Sequence, residues 1–357
     1  MAYTTIDKPT DHFETELYSG SASDVTMDGL DFQPDWVWLK KRSGSGDHLT
    51  YDSVRGTNKR LTINGQDAEV DRSSNNDELK SFNSDGWTLG TFNSNVTGSG
   101  STCVSWNWLA SGSTASNTDG SITSTVSANT TAGFSIVSYT GTTGGASSTI
   151  GHGLGVTPDL VILKPRSYSG AWWWVQKGRS DKVLELQATN AEVDPSSSFG
   201  GGGLKYSTFT SSVFGGTNGT SNDDLWNTSG ATYIAYCFAE KNGYSKFGSY
   251  TGNGNADGVF VYTGFKPAMV IVKRTSGADR WVITDNKRDP DNPVITELNP
   301  NDSTADDTTG IPFDFLSNGF KLRRTGNVFN SSSETYIYMA FAESPFVTST
   351  GIPTTAR

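Results

Sequence analysis

A chain of 357 residues with net charge −10, 40 Gly, 18 Phe, 13 Tyr, 10 Trp and only 18% charged residues has the make-up of short strands joined by turns. Gly and Asn accept positive φ in turns, while Thr and aromatics pack on pleated faces. The acidic balance argues against a phosphate-tracking surface, which needs a basic stripe, so no nucleic-acid partner is expected. No stretch approaches the roughly 18 apolar residues of a membrane helix, so no membrane insertion is expected. No window sustains apolar positions at i, i+3, i+4 and i+7, and the fold class is all-β.

Residues 1–12 form a polar N-terminal arm, and Met1 to Lys8 has neither a basic nor an apolar leader segment, which predicts assembly in a cytoplasm. One pattern then runs three times. Each copy opens on an aromatic and a glycine (Tyr18 and Gly20, Tyr139 and Gly141, Tyr250 and Gly252). Each reaches a proline followed by an apolar run ending in lysine: Pro34 to Lys40, Pro158 to Lys164, Pro267 to Lys273. An arginine follows within two residues, as Arg42, Arg166 and Arg274, and the copies close alike at Val104 to Trp108, Ile234 to Phe238 and Ile337 to Phe341. The prolines lie 124 and 109 residues apart, far beyond the roughly 20 to 50 residues of a solenoid repeat. Units of that length hold their own cores.

The chain therefore divides into copy one (13–110), a Ser/Thr/Asn/Gly-rich linker (111–131), copy two (132–240), copy three (246–343) and a C-terminal tail (344–357). Apolar lysine-ended runs predict central strands covered on both faces. Asp85-Gly86 and Asn318-Gly319 are hairpin signals. Many short strands with frequent turns predict three tandem β-sandwiches of jelly-roll or lectin-like topology. Cys103 and Cys237, each in a closing strand, are expected as buried free thiols.

Few constellations suggest chemistry. Asp52/Arg55 and Asp285/Arg288 repeat an Asp-x-x-Arg pattern, but Gln176 replaces the acid in copy two and cannot ionise, which predicts a hydrogen-bonding role. Glycoside hydrolysis needs two facing carboxyl groups. Glu69/Glu192 has only Ala305-Asp306 as its counterpart in copy three, and Glu240/Glu343 meets Ala110 in copy one. His12, His48 and His152 occupy unrelated positions with no metal spacing. The acidic loops Asp289 to Asn292 and Asp302 to Asp307 offer oxygen ligands for Ca2+ without a calcium-hand pattern; no other cofactor is expected. Gly200 to Gly203 reads as a loop without phosphate-cradling context. In Trp172-Trp173-Trp174, strand alternation puts the middle indole on the opposite face from its neighbours. Tyr168, Trp173, Trp174 and Gln176 are the candidate ligand-binding residues, suited to a sugar ring or a protein partner.

Tyr-Thr-Gly-Asn-Gly (250–254), Gly-Phe-Lys-Pro (264–267), Val-Ile-Val-Lys-Arg (270–274), Ser-Asn-Gly-Phe (317–320) and Tyr-Ile-Tyr-Met-Ala-Phe-Ala-Glu (336–343) resemble an uncharacterised tandem β-domain family found in tail and other virion proteins of marine bacteriophages. Copy three matches most fully and copy one diverges most. The resemblance implies a virion location, with other virion proteins and a host-surface glycan or protein as partners, and a homo-oligomer such as a trimer. A tail fibre or tail-associated adhesin is expected, with copy one attached to the particle and copies two and three pointing outward. A capsid-decoration or head-fibre protein, a virion polysaccharide depolymerase and a free lectin are the alternatives.

Overall fold

The lysine-ended strands Trp36–Lys41, Leu160–Pro165 and Phe265–Arg274 are buried along nearly their whole length. Strand alternation sends their side chains to two different cores. Val37 and Leu39, Val161 and Leu163, and Val270 and Val272 each enter the core of their own copy. Trp36 and Trp38, Leu160 and Ile162, and Met269 and Ile271 all enter one further core built by the three copies together.

The computed structural model describes residues 2–92, 94–142, 148–179, 182–194, 205–217, 226–309 and 313–354. Each copy is a pair of antiparallel sheets. In the larger sheet the lysine strand lies between a short strand (Leu49–Asp52, Trp173–Gln176, Val282–Asp285) and the closing strand (Thr102–Trp108, Thr232–Phe238, Thr335–Pro345). The closing strand carries the opening strand (Phe13–Ser19, Phe134–Thr140, Ser245–Thr251) on its other side. The smaller sheet has three strands: Val25–Met27, Gly86–Leu89 and Leu79–Asn83 in copy one, with counterparts Ser148–Gly151, Val213–Thr217 and Lys205–Phe209, and Phe260–Tyr262, Gly319–Leu322 and Phe313–Leu316. First pairs with last, and the second strand pairs with the one just before the last, which is the nested wrapping of a jelly roll. The hairpin partner of the lysine strand stays in the same sheet.

The predicted hairpins form with two-residue turns, Asn83 pairing Gly86 and Leu316 pairing Gly319. Their glycines serve a close strand approach. A β-carbon on Gly86 would lie 1.9 Å from the Met27 carbonyl oxygen, and one on Gly319 would lie 2.1 Å from that of Val261. Cys103 and Cys237 are buried free thiols. Among the described residues no helix is long and apolar enough to cross a membrane.

One expectation is corrected. Residues 111–131 are not a plain linker, because Ala115–Asn117 and Ser124–Asn129 are strands that extend the larger sheet of copy two. Ile122, Ser124 and Val126 are buried while Ser121, Thr123 and Thr125 are exposed, and this alternation lets a Ser/Thr-rich segment pair. The N-terminal arm packs against the rest of the chain. Ile6 is buried in the shared core, and Asp7 accepts the Ser349 backbone N–H at 2.6 Å.

Every pair of copies shares an aromatic contact in the common core. Trp36 stacks on Tyr236 at 4.2 Å, Phe13 on Phe341 at 4.8 Å, and Trp174 meets Trp281 at 4.9 Å. Such pairs add about 0.5–1.5 kcal/mol beyond the burial of their area. A core held in common makes the copies unfold together. Calorimetry should show one transition with equal calorimetric and van't Hoff enthalpies. Trp36→Ala should destabilise that whole transition by about 3–5 kcal/mol; three resolved transitions, with one alone moved by the substitution, would show the copies to be independent.

Candidate functional site

Matching positions of the three copies converge where the copies meet. Backbone N–H groups of Glu69, Glu192 and Asp306 donate to the carbonyls of Arg166, Thr275 and Arg42 at 2.8, 2.9 and 3.0 Å. Those of Gly170, Asp279 and Gly46 donate to Gln66, Thr189 and Ser303 at 2.7, 2.8 and 2.8 Å. Both sets link copy one to two, two to three and three to one. The copies form a closed ring.

Side chains follow the same cycle. The Trp172 indole of copy two donates to the Thr62 carbonyl of copy one at 2.8 Å, and Trp281 of copy three to Glu185 of copy two at 3.0 Å. His48 stands at the matching place in copy one and accepts the Trp38 indole N–H on Nδ1 at 2.9 Å. Burial, and then the charge of Lys40, hold His48 well below the usual imidazole range.

The Asp-x-x-Arg pairs lie inside this ring with both side chains fully buried. Asp52 receives the Arg55 backbone N–H at 2.8 Å, the Arg55 guanidinium, and the Tyr236 hydroxyl of copy two at 2.7 Å. Asp285 receives Arg288 Nε at 2.8 Å and the Trp106 indole of copy one at 3.2 Å. Burial opposes the Arg55 charge, and Asp52, Tyr236 and Glu69 together outweigh it, so the guanidinium is held above its ordinary range. Arg55 continues to Glu69, which also takes a bidentate Arg166 at 2.9 and 2.8 Å. Arg288 continues to Asp306, which takes Arg42 at 2.7 Å. Asp306 thus does in copy three what Glu69 does in copy one. These carboxylates are occupied by neighbours, and the acids the copies share serve assembly.

Gln176 now has a physical account. Strand register places Trp106, Tyr236 and Met339 at equivalent positions, opposite Trp38, Ile162 and Ile271. Trp106 and Tyr236 each present a donor to an aspartate of the neighbouring copy, whereas Met339 has none to offer. At that junction the acid is replaced by Gln176, which donates instead to the Gly248 carbonyl at 3.2 Å. A carboxylate there would lack this donor, and burying a charge without partners is costly.

The predicted ligand-binding residues are placed differently from expectation. Trp173 is 3% exposed and lies in the core of copy two; Trp174 is 2% exposed and lies in the shared core; Gln176 is buried at the junction with copy three. Tyr168 is half-buried and its hydroxyl is 3.0 Å from that of Tyr233. Alternation sorted the indoles as expected, but both faces of this sheet are covered, so neither Trp173 nor Trp174 offers a flat face to a ligand. The acidic loops are also engaged internally. Asp289 caps Ile295 at 2.8 Å, Asp302 caps Thr304 at 2.9 Å and Asp307 caps Thr309 at 2.8 Å. Among the described residues no group of three His, Cys, Asp or Glu side chains is placed to hold a metal ion. Gly200 to Gly203 lies outside the described residues.

A cleft of about 560 Å³ opens in copy three, lined by Lys266, Asn286, Asp291, Phe315, Leu316 and Glu343 among others. Glu343 bridges Lys266 at 2.8 Å and Asn286 at 2.7 Å, and Asn292 clamps the Phe315 backbone at 2.8 and 2.9 Å. Exposed Asp291 edges the opening. The cleft differs in chemistry from the matching places in the other copies: Gln33 and Thr157 stand where Lys266 does, and Glu343 is shared with copy two as Glu240 but replaced by Ala110 in copy one.

A domain of unknown function, DUF7483, matches residues 8–345, a span that begins in the arm and runs through the last closing strand. The chain belongs to the DUF7483 family. No curated protein matches it. The DUF7483 unit therefore contains all three copies, which agrees with a ring in which no copy completes its own contacts.

Each copy of the DUF7483 unit also buries the lysine that ends its apolar strand. Lys40 Nζ donates to the Lys41 and Thr304 carbonyls at 2.8 and 2.6 Å, Lys164 to Gln66 and Gly170 at 3.0 and 2.8 Å, and Lys273 to Arg274 at 2.6 Å. Burial pushes all three down from 10.5 to about 8. The unfolded chain keeps these protons until about pH 10.5, so between pH 8 and 10.5 it binds more protons than the folded chain and stability rises with pH. Cys103 and Cys237, raised by burial, act in the opposite sense above pH 9, and the lysine contribution is read as a difference between variants. Between pH 7.5 and 9.5 the urea midpoint of Lys164→Met should rise less, or fall more, than that of the parent; equal shifts would mean that Lys164 does not change protonation there. The junction gives a second test. In a cycle of Asp52→Gln and Tyr236→Met, which together copy the junction of copies two and three, the double variant should be less destabilised than the sum of the singles by about 0.5–3 kcal/mol. Strict additivity would show that the two residues are not coupled.

Proposed function

We propose that this DUF7483 chain is a structural protein of a bacteriophage particle, acting as a tail-fibre or tail-associated adhesin whose binding surface lies on copy three. The particle rests on the resemblance of its repeated motifs to virion proteins. One structural observation carries the adhesin reading: the Asp-x-x-Arg pairs lie in the ring between the copies, while the open cleft is lined in part by residues that copy three does not share, Lys266 among them. A scaffold that repeats its buried residues and varies its surface suits display of one binding site on a rigid body. The arm packs into the shared core, so attachment to the particle falls to surfaces outside residues 2–12.

Antibody raised against the purified chain should label the tails of intact particles of the phage that encodes it, viewed by electron microscopy. Labelling confined to the head would move the protein to capsid decoration, and particles without label would remove the virion role. The purified chain incubated with host cells should bind without releasing reducing sugar. Release that is abolished by Glu343→Gln would make it a depolymerase.

A further inference from the structure

The outer faces of the three smaller sheets differ at one place. Register puts Met27, Ile150 and Val261 at equivalent inward positions, opposite Trp87, Phe214 and Phe320. Their outward neighbours on the preceding side are Thr26, Thr149 and Phe260, and on the following side Asp28, Gly151 and Tyr262. Copies one and two carry small or polar residues there. Copy three carries two aromatic rings, 42% and 52% exposed.

Both rings are held in place. Phe260 lies beside Gly319, with Cε2 and Cζ each 3.0 Å from where a β-carbon of that glycine would be, and 42% of it stays exposed. The Tyr3 hydroxyl donates to the Gly264 carbonyl at 2.7 Å, which leaves its oxygen to accept from the Tyr262 hydroxyl at 3.2 Å. Around the rings, Lys321 pairs with Asp257 at 2.6 Å and Arg323 with Asp314 at 2.5 Å. Leu316, which lines the cleft, pairs across the sheet with Gly319, and Gly319 with Tyr262. The rings and the cleft wall at Leu316 therefore share one row of the same small sheet.

We propose that copy three binds an oligosaccharide, with pyranose rings stacked on Phe260 and Tyr262 and the chain continuing past Leu316 into the cleft. A pyranose has an apolar C–H face and a rim of hydroxyls, which matches an open aromatic face ringed by donors and acceptors. Residues i and i+2 of a strand stand roughly 7 Å apart, which provides for more than one sugar unit. The rim carries both signs of charge, so it does not select an acidic lipid surface. This inference deepens the adhesin reading by naming its ligand class, and it can fail while particle labelling succeeds.

The test uses the full chain and hexaoses of glucose, galactose, mannose and N-acetylglucosamine in α and β linkage, followed by saturation-transfer NMR. At least one hexaose should receive saturation, strongest at its ring C–H protons. Phe260→Ala/Tyr262→Ala should weaken that binding at least tenfold with the thermal midpoint unchanged, and Thr26→Ala/Asp28→Ala should leave it intact. No transfer to any hexaose, or binding unaltered in the double variant, overturns the proposal. So does sedimentation of the parent as a dimer that Phe260→Ala/Tyr262→Ala converts to a monomer, since the rings would then be covered by a second copy of the chain.

Discussion

Each larger sheet has two apolar faces and only one small sheet of its own to cover them. Trp36 and Trp38 point one way while Val37 and Leu39 point the other, and the same division holds for Leu160 to Leu163 and Met269 to Val272. The three-stranded sheet covers one face. The other would expose indoles and long aliphatic chains to water, and the hydrophobic effect drives it onto whatever apolar surface is at hand. Three such faces meeting one another solve the problem within a single chain, and the remainder of the architecture follows from that choice.

Apolar burial alone does not fix how three sheets meet, because it lacks direction. The polar cycle supplies direction. Every junction carries the same two backbone hydrogen bonds, and around them each pair of copies uses a different set of side chains: Tyr236 with Asp52, Trp106 with Asp285, and the uncharged Gln176 where Met339 offers no donor. Buried polar groups partnered across the junctions in one arrangement penalise the others, since displacement would take Tyr236 from Asp52, Trp106 from Asp285, Arg166 from Glu69 and Arg42 from Asp306. The three junctions are thus related in backbone and distinct in side chains, which keeps each copy at its own station in the ring.

Much of the fold was legible from residue order. The lysine strands, the two hairpins, the free thiols and the hydrogen-bonding role of Asp-x-x-Arg all follow from local pattern, because alternation, turn chemistry and the presence of Gln176 in place of an acid are written in adjacent residues. The ring was not legible. It depends on which of two apolar faces meets another copy, and strand alternation says only that two faces exist. That gap explains the misplacement of Trp174 and Gln176, whose partners Trp281 and Gly248 lie in copy three and far along the chain. It also explains the strands in 111–131, where hydroxyl-rich composition outweighed the alternation of Ile122, Ser124 and Val126. The copy-three cleft joins Glu343 and Asn286 from distant segments, and only comparison of the copies position by position gave a hint of it, at Ala110.

Closure of the ring between the first and last copies has a consequence during synthesis. Trp106 finds its acceptor in Asp285, and Arg42 finds Asp306, so copy one leaves the ribosome long before the groups that complete it. At about 5–20 residues per second, the wait is roughly ten to fifty seconds. Throughout that interval the nascent chain lacks the copy-three partners of Trp106 and Trp108, Asp285 and Phe341, while Asp52 and Arg55 are already paired within copy one. The emerging polypeptide therefore has a timed window of stickiness that ends only when its last strand arrives, and the cell's holding chaperones are its natural company until then.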